Sequence, residues 1–264
     1  DGGVEIGALT SLTEVEQSSV VQGRYKLLAD AARRVASPQI RNSGTIGGNV
    51  CQDARCWYYR YGVDCYRAGG NTCYADTPEG QNREHCLWGA DRCVAVSPSD
   101  TAPALVALDA TMVIVGPGGQ REVKAEEFFI GPNIDIERMT VLEDGEVLTA
   151  IRLPAEWSGA RFYFEKVADR NTWDFPLVNI AAAMKVSGAA GSETVDSIRI
   201  VAGAVQCVPR RLTVVEEVVR GQAKTAETAS LAGQSAVRGA TPLNFNHFKI
   251  PLLQNLVTRA IRDA

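Results

Sequence analysis

Apolar and polar positions alternate over residues 4–9, the pattern of a strand with one buried face. Ser11-Leu12-Thr13-Glu14 then sets a Ser to cap a helix and a Glu three residues on, the spacing of a capping box. Leu27, Leu28, Ala31, Ala32 and Val35 fall on one helical face and predict a helix over 25–35. Residues 37–49 lose that period and read as a turn-rich loop with adjacent glycines. Further on, Ser97-Pro98-Ser99-Asp100 precedes a short apolar helix over 101–108. Residues 111–115 and 121–125 read as a strand pair around the turn Gly116-Pro117-Gly118-Gly119. Residues 146–153 form another strand, ended by Pro154. The stretch 154–160 resembles a linker and divides the chain into regions 1–155 and 160–264. Beyond it come three strands, 162–167, 178–186 and 198–205, and three helices, 209–220, 225–236 and 248–262. Strands followed by helices predict an α+β layer with the helices on one face of a three-stranded antiparallel sheet.

Residues 51–93 obey neither period. They hold six of the seven cysteines and five of the seven tyrosines. An irregular stretch of this length is uncommon unless it is functional or stapled. At 264 residues, 45% of them hydrophobic, the chain can bury a core without disulfides. No secretory leader precedes the first strand, so the expected compartment is the cytoplasm, which favours metal ligation over disulfides. Thiolates suit zinc or an iron–sulfur cluster. The Cys56, Cys65, Cys73, Cys86 and Cys93 spacings lack the short pairs of structural zinc sites. Reduced structural thiols or a disulfide staple are the alternatives. Arg55, Arg60, Arg67 and Arg92 lie beside these cysteines, placed either to offset an anionic cluster or to face solvent.

A net charge of −4 argues against nucleic-acid binding. No apolar run approaches the roughly 20 residues of a membrane-spanning helix. Four smaller features carry candidate chemistry. Thr45-Ile46-Gly47-Gly48-Asn49 would let backbone N–H groups approach an anion, or is simply a turn. Asp100 would accept from a ribose hydroxyl or ring N–H, or else Ser99 or Asp100 simply caps the helix that follows. Lys166 shares a strand face with Phe164, aimed at a ligand or at solvent. Cys207 reads as a core residue, and His85 as a spare ligand or a loop residue. Neither histidine pairs with a nucleophile and an orienting acid, so hydrolase chemistry has little support.

As an ordered set these segments resemble the FAD-binding (medium) subunits of the molybdenum hydroxylases, the xanthine dehydrogenase and carbon monoxide dehydrogenase family. The resemblance is carried by Ser37-Pro38-Gln39-Ile40-Arg41-Asn42 with Thr45-Ile46-Gly47-Gly48-Asn49, by Ser99-Asp100 with Ala102-Pro103-Ala104-Leu105, and by Glu126-Glu127-Phe128-Phe129-Ile130-Gly131. Gly145-Glu146-Val147-Leu148 with Ile151-Arg152-Leu153-Pro154, Phe164-Glu165-Lys166-Val167-Ala168-Asp169-Arg170 and Asp174-Phe175-Pro176-Leu177-Val178 extend it. Ile200-Val201-Ala202-Gly203-Ala204-Val205 with Pro209-Arg210-Arg211 resembles the start of the family's small C-terminal domain.

The resemblance implies an α+β fold, part of the FAD-binding domain followed by that C-terminal domain. It implies FAD contacts at Thr45, Gly47, Gly48, Asn49, Asp100 and Lys166, with Leu148 lining the ring pocket. The partners implied are a large subunit with the molybdenum cofactor, which holds the substrate site, and a small subunit with [2Fe–2S] centres. The cysteine block falls where most members run straight from the Asn to the acid. It resembles the insertion of the subgroup typified by 4-hydroxybenzoyl-CoA reductase, which carries a [4Fe–4S] cluster. The ligands so implied are Cys56, Cys65, Cys73 and Cys93, with Cys51 and Cys86 spare. The gap before Cys93 is longer than in that subgroup, but Asp91-Arg92-Cys93 sits just ahead of the Ser-Asp segment, as the fourth ligand does there. Such a cluster would pass electrons to or from an outside carrier such as ferredoxin, and the tyrosines would shield it. The family's Gly-Gly-Thr-Asp-type pyrophosphate loop has no counterpart here, and the chain opens at Asp1 as if in mid-domain, so weak or absent FAD binding is expected. The other function class is a non-catalytic binding module with a zinc- or disulfide-stapled loop. A self-contained flavin oxidase lacks a visible acid/base apparatus.

Overall fold

Two four-stranded antiparallel sheets carry the chain, of which the computed structural model describes residues 2–189 and 191–264. The first region runs β1 (Val4–Gly7), α1 (Leu12–Gln17), α2 (Ser19–Arg24), α3 (Lys26–Arg33), α4 (Pro38–Ser43) and α5 (Ile46–Val50). After the cysteine block, where α6 (Trp57–Arg60) is the one α-helix among the described residues, come α7 (Thr101–Ala107), β2 (Thr111–Gly116), β3 (Gly119–Lys124), α8 (Ala125–Phe128) and β4 (Val147–Leu153). The second region runs β5 (Arg161–Val167), β6 (Val178–Ser187), β7 (Thr194–Gly203), β8 (Arg210–Arg211), α9 (Thr213–Val219), α10 (Ala226–Ala236) and α11 (Lys249–Asp263). The sheet orders are β1-β4-β2-β3 and β5-β6-β7-β8.

Local chemistry accounts for most of these elements. At α1 the capping box forms in both directions: the Glu14 N–H donates to Ser11 Oγ at 3.1 Å, and the Ser11 N–H donates to Glu14 Oε2 at 2.8 Å. Residues 37–49, expected as a loop, instead make the two short helices α4 and α5. Their starts are written in caps rather than in periodicity. Ser37 Oγ accepts from the Ile40 N–H with Pro38 at the first turn, and Thr45 Oγ1 accepts from the Gly48 N–H. Five or six residues are too few to display an apolar face.

The second sheet corrects two expectations. It has four strands, because Arg210–Arg211 pairs with Val201 and Ala202 where a helix was expected to begin. Two residues leave no periodic trace. It is also covered on both faces. Ala181, Ala183 and Val201 join the core that holds α3 and α7, whereas Ile180, Ala182, Met184, Ile200 and Ala202 pack with α9, α10 and α11. The apolar run of residues 180–184 in β6 is the signature of a strand buried on both sides.

The cysteine block is held by hydrogen bonds from its backbone to the backbone and side chains of the second region. The Leu87 N–H donates to Val205 O at 2.8 Å, and Asn246 Nδ2 donates to the carbonyls of His85 and Cys86 at 3.0 and 2.9 Å. Lys249, fully buried at the start of α11, donates from Nζ to the carbonyls of Glu84, His85 and Ala204 at 2.8, 2.9 and 2.8 Å. Burial pulls its ammonium down to about 7, and those three bonds offset that cost of keeping it charged. No helix among the described residues is long and apolar enough to cross a membrane. Lys249→Met leaves the carbonyls of Glu84 and Ala204 without this donor, at roughly 1–3 kcal/mol each if no other donor takes its place, while His85 keeps Asn246. Thermal denaturation should show a loss of several degrees, and amide exchange at residues 84–86 should quicken. Unchanged exchange there would contradict this role.

Candidate functional site

Two sites assemble from the residues singled out in the sequence. The first is a buried polar network at the junction of α5, α7 and the second sheet. The α5 loop turns back on β1, and its donors find partners within the chain. The Ile46 N–H donates to Thr10 O, the Gly47 N–H to Ala8 O, the Gly48 N–H to Thr45 Oγ1 and the Asn49 N–H to Thr45 O, at 2.8–3.0 Å. Gly47 is glycine for contact reasons, since a Cβ would stand 2.8 Å from both Cβ and O of Ala8. Asn49 Oδ1 accepts from Ser99 Oγ at 2.7 Å and Thr101 Oγ1 at 2.6 Å. Ser99 Oγ in turn accepts from the Ala102 N–H at 3.1 Å, so Ser99 caps α7 and leaves Asp100 free for other work.

That work is a buried ion pair. Asp100 Oδ2 accepts from Lys166 Nζ at 2.6 Å, and its Oδ1 accepts from Asn179 Nδ2 at 3.0 Å. Lys166 Nζ also donates to Arg34 O at 3.0 Å. The two residues are only 3% and 7% exposed, so the solvated reading of Lys166 does not hold. Burial raises the Asp100 carboxyl above its ordinary value, while the Lys166 ammonium and the Asn179 amide work against that rise. Asn179 was not singled out in the sequence. Its signal was an Asn set in an apolar run, which in a doubly buried strand needs a partner. Gly203 makes room for it, because a Cβ there would meet Asn179 Oδ1 at 2.0 Å. Leu148 stands apart from this network, buried in the first sheet opposite Ile114.

The second site is a small recess in the cysteine block, of about 10 Å³. Cys56, Cys65, Cys73 and Cys93 all line it, beside Tyr58, Tyr59, Tyr74 and Arg67. Tyr58 and Tyr74 stack at 6.2 Å, and Tyr59 Oη donates to Asp53 Oδ2 at 2.6 Å. The other three cysteines lie outside the lining. All seven are free thiols. Burial pushes Cys51 up to about 11 and Cys86 and Cys207 up to about 12, and it raises Cys56 and Cys73 as well. Among the described residues, no group of three or more His, Cys, Asp or Glu side chains is placed to hold a single metal ion. His85 is buried with Nε2 3.2 Å from Cys56 Sγ, and burial followed by the nearby Lys249 charge lowers it to about 4. Of the four arginines flanking the cysteines only Arg67 is buried. Beside the recess, a cleft of about 480 Å³ shares Cys56 and Ala95 with it and is walled by His85, Trp57, Trp173, Asp174 and Phe175.

Comparison with known proteins gives this arrangement its family. Residues 1–156 match the FAD binding domain in molybdopterin dehydrogenase, and residues 163–264 match the CO dehydrogenase flavoprotein C-terminal domain. The chain belongs to the FAD-binding subunits of the molybdenum hydroxylases. The flavin subunit is 31% identical over 267 residues to the aldehyde oxidoreductase FAD-binding subunit PaoB of Escherichia coli, covering 100% of this chain and 79% of the relative. To the carbon monoxide dehydrogenase medium chain of Hydrogenophaga pseudoflava it is 30% identical, covering 99% of this chain and 74% of that one. The solved structure of carbon monoxide dehydrogenase from that organism, in a form lacking the Mo-pyranopterin moiety, superposes with a TM-score of 0.73 at 28% identity. It covers 99% of this chain and 74% of the other. Quinoline 2-oxidoreductase from Pseudomonas putida shares the fold, with a TM-score of 0.73 at 21% identity, covering 100% of this chain and 75% of that one.

In this flavin subunit the Asp100–Lys166 pair is both a candidate cofactor contact and a structural constraint. Asp100→Ala strands the Lys166 ammonium in the interior and should cost about 3–5 kcal/mol by urea denaturation. Asp100→Leu combined with Lys166→Met should recover much of that loss. A single variant as stable as wild type would contradict the pairing.

Proposed function

We propose that this flavin subunit is an electron-transfer component that carries a [4Fe–4S] cluster in the cysteine recess as well as FAD. It would work beside a molybdenum-cofactor large subunit, which holds the organic substrate, and a small subunit with [2Fe–2S] centres. Ferredoxin is the class of external carrier that suits it. The observation that carries the reading is the convergence of Cys56, Cys65, Cys73 and Cys93, four cysteines spread over 38 positions of irregular chain, on one recess. The cysteine insertion likens the chain to the subgroup typified by 4-hydroxybenzoyl-CoA reductase.

The donor set fits the group. Thiolates that hold a cubane each bind a different iron, so they stand farther apart than the ligands of one zinc ion. Four cysteines line the recess, the number such a cluster takes. A buried guanidinium at the same recess, with its Nε unpartnered, also suits an anionic guest. When bound, FAD supplies exchange of one or two electrons and the cluster supplies exchange of one.

The chain's own residues position and shield these groups. Asn49, Asp100 and Lys166 would form the wall against which the flavin lies, with Thr45, Gly47 and Gly48 fixing the loop before them and Leu148 as the apolar contact. Asn49 is held by Ser99 and Thr101, and Asp100 by Lys166, before any ligand arrives. Tyr58, Tyr59 and Tyr74 would screen the cluster from water. Cys56, which borders both the recess and the neighbouring cleft, marks the side on which an outside carrier would approach.

Iron, sulfide and zinc analysis with an anaerobic absorption spectrum tests the reading. About four irons and four sulfides per chain are expected, with a broad band near 400 nm in order of magnitude. Cys93→Ser should lose the iron and Cys86→Ser should keep it. Zinc alone, or no metal, would leave the loop as a structural staple and overturn the cluster.

A further inference from the structure

Arg67 is the one cysteine-flanking arginine that the fold buries, with its side chain 1% exposed. A buried cation is costly unless a countercharge or a full set of acceptors meets it. Its partners within the chain are few. Nη1 donates to Glu137 O at 2.7 Å and lies 3.6 Å from Asp53 Oδ1, a carboxylate 47% exposed and already taken by Tyr59 Oη. Nη2 points to Cys207 Sγ at 3.6 Å. Nε is buried and has no partner. Glu137 offers only its carbonyl, and Cys207 is a neutral thiol held by burial and set 3.7 Å from Met139 Sδ. The remaining neighbours are the four cysteines of the recess that Arg67 lines.

We propose that Arg67 is the buried countercharge of the group bound by those cysteines and that it sets that group's reduction potential. The inference rests on the cluster reading above. A cluster ligated by four thiolates is anionic and gains a further negative charge on reduction, so a fixed cation beside it stabilises the reduced form more than the oxidised one. Guanidinium suits the place because it stays charged when buried and presents several donors in one plane. Arg67 acts here as a positioning and tuning residue, since it touches the ligand sulfurs' pocket and no substrate.

The test compares the wild-type chain with Arg67→Gln and Arg67→Lys. Each is analysed for iron and sulfide and titrated with dithionite under EPR detection. Arg67→Gln should lower the cluster potential by at least a tenfold change in the one-electron equilibrium, 59 mV. Arg67→Lys should stay closer to wild type than to Arg67→Gln. Failure of Arg67→Gln to hold iron while Arg67→Lys holds it would equally support a need for the charge. An iron-loaded Arg67→Gln at the wild-type potential would overturn the inference and leave the cluster standing. Loss of iron from both variants would make the side chain's shape the requirement and also overturn it. A wild-type chain without iron would remove the cluster reading itself and the inference with it.

Discussion

The irregular stretch 51–93 has to bury polar backbone against a packed body, and one side chain answers much of that demand. The Lys249 ammonium, entering from the first turn of α11, satisfies carbonyls at 84, 85 and 204 at once. Asn246 adds two donors to the same segment. Unpaired buried carbonyls would otherwise tax every residue of the insertion. The cysteine recess is therefore fixed from behind by the C-terminal helix, although the two are distant in sequence. A site built on an irregular loop gains precision only where such support exists.

Three buried cations show three solutions to the same electrostatic problem. Lys166 meets a carboxylate, Asp100, and the pair is completed by an amide and a carbonyl. Lys249 meets only carbonyl dipoles. Arg67 meets a backbone carbonyl, a thiol and, at 3.6 Å, the half-exposed Asp53 carboxylate, with its Nε unpartnered. In a protein interior such an imbalance is informative, because folding alone offers no return for it.

Much of this was legible in the sequence. The capping box at Ser11, the apolar faces of α3 and α7, the β2–β3 hairpin and the doubly apolar run of β6 are all written in short-range patterns. The helices α4 and α5 escaped because they are shorter than the period that would reveal them, and β8 because two residues have no period at all. Covering of the second sheet on both faces is a tertiary fact, although the apolar run of residues 180–184 already hinted at it. At the site, ordered motifs singled out Asn49, Asp100 and Lys166; the fold pairs Asp100 with Lys166 and bonds Asn49 to the two residues that flank Asp100. Asn179, which carries no motif of its own, completes that site with Ser99 and Thr101. Among four arginines near the cysteines nothing local distinguished Arg67. Its burial follows from how the loop folds over residues 137 and 207.

The central claim is that a family flavin subunit here holds a second redox group in its own cysteine recess. A low-temperature EPR spectrum of the anaerobically reduced wild-type chain addresses it most directly. The account predicts the signal of a reduced [4Fe–4S] cluster, with spin intensity matching the iron content. A reduced chain that is silent, with its iron-free thiols all reactive to alkylation, would contradict it.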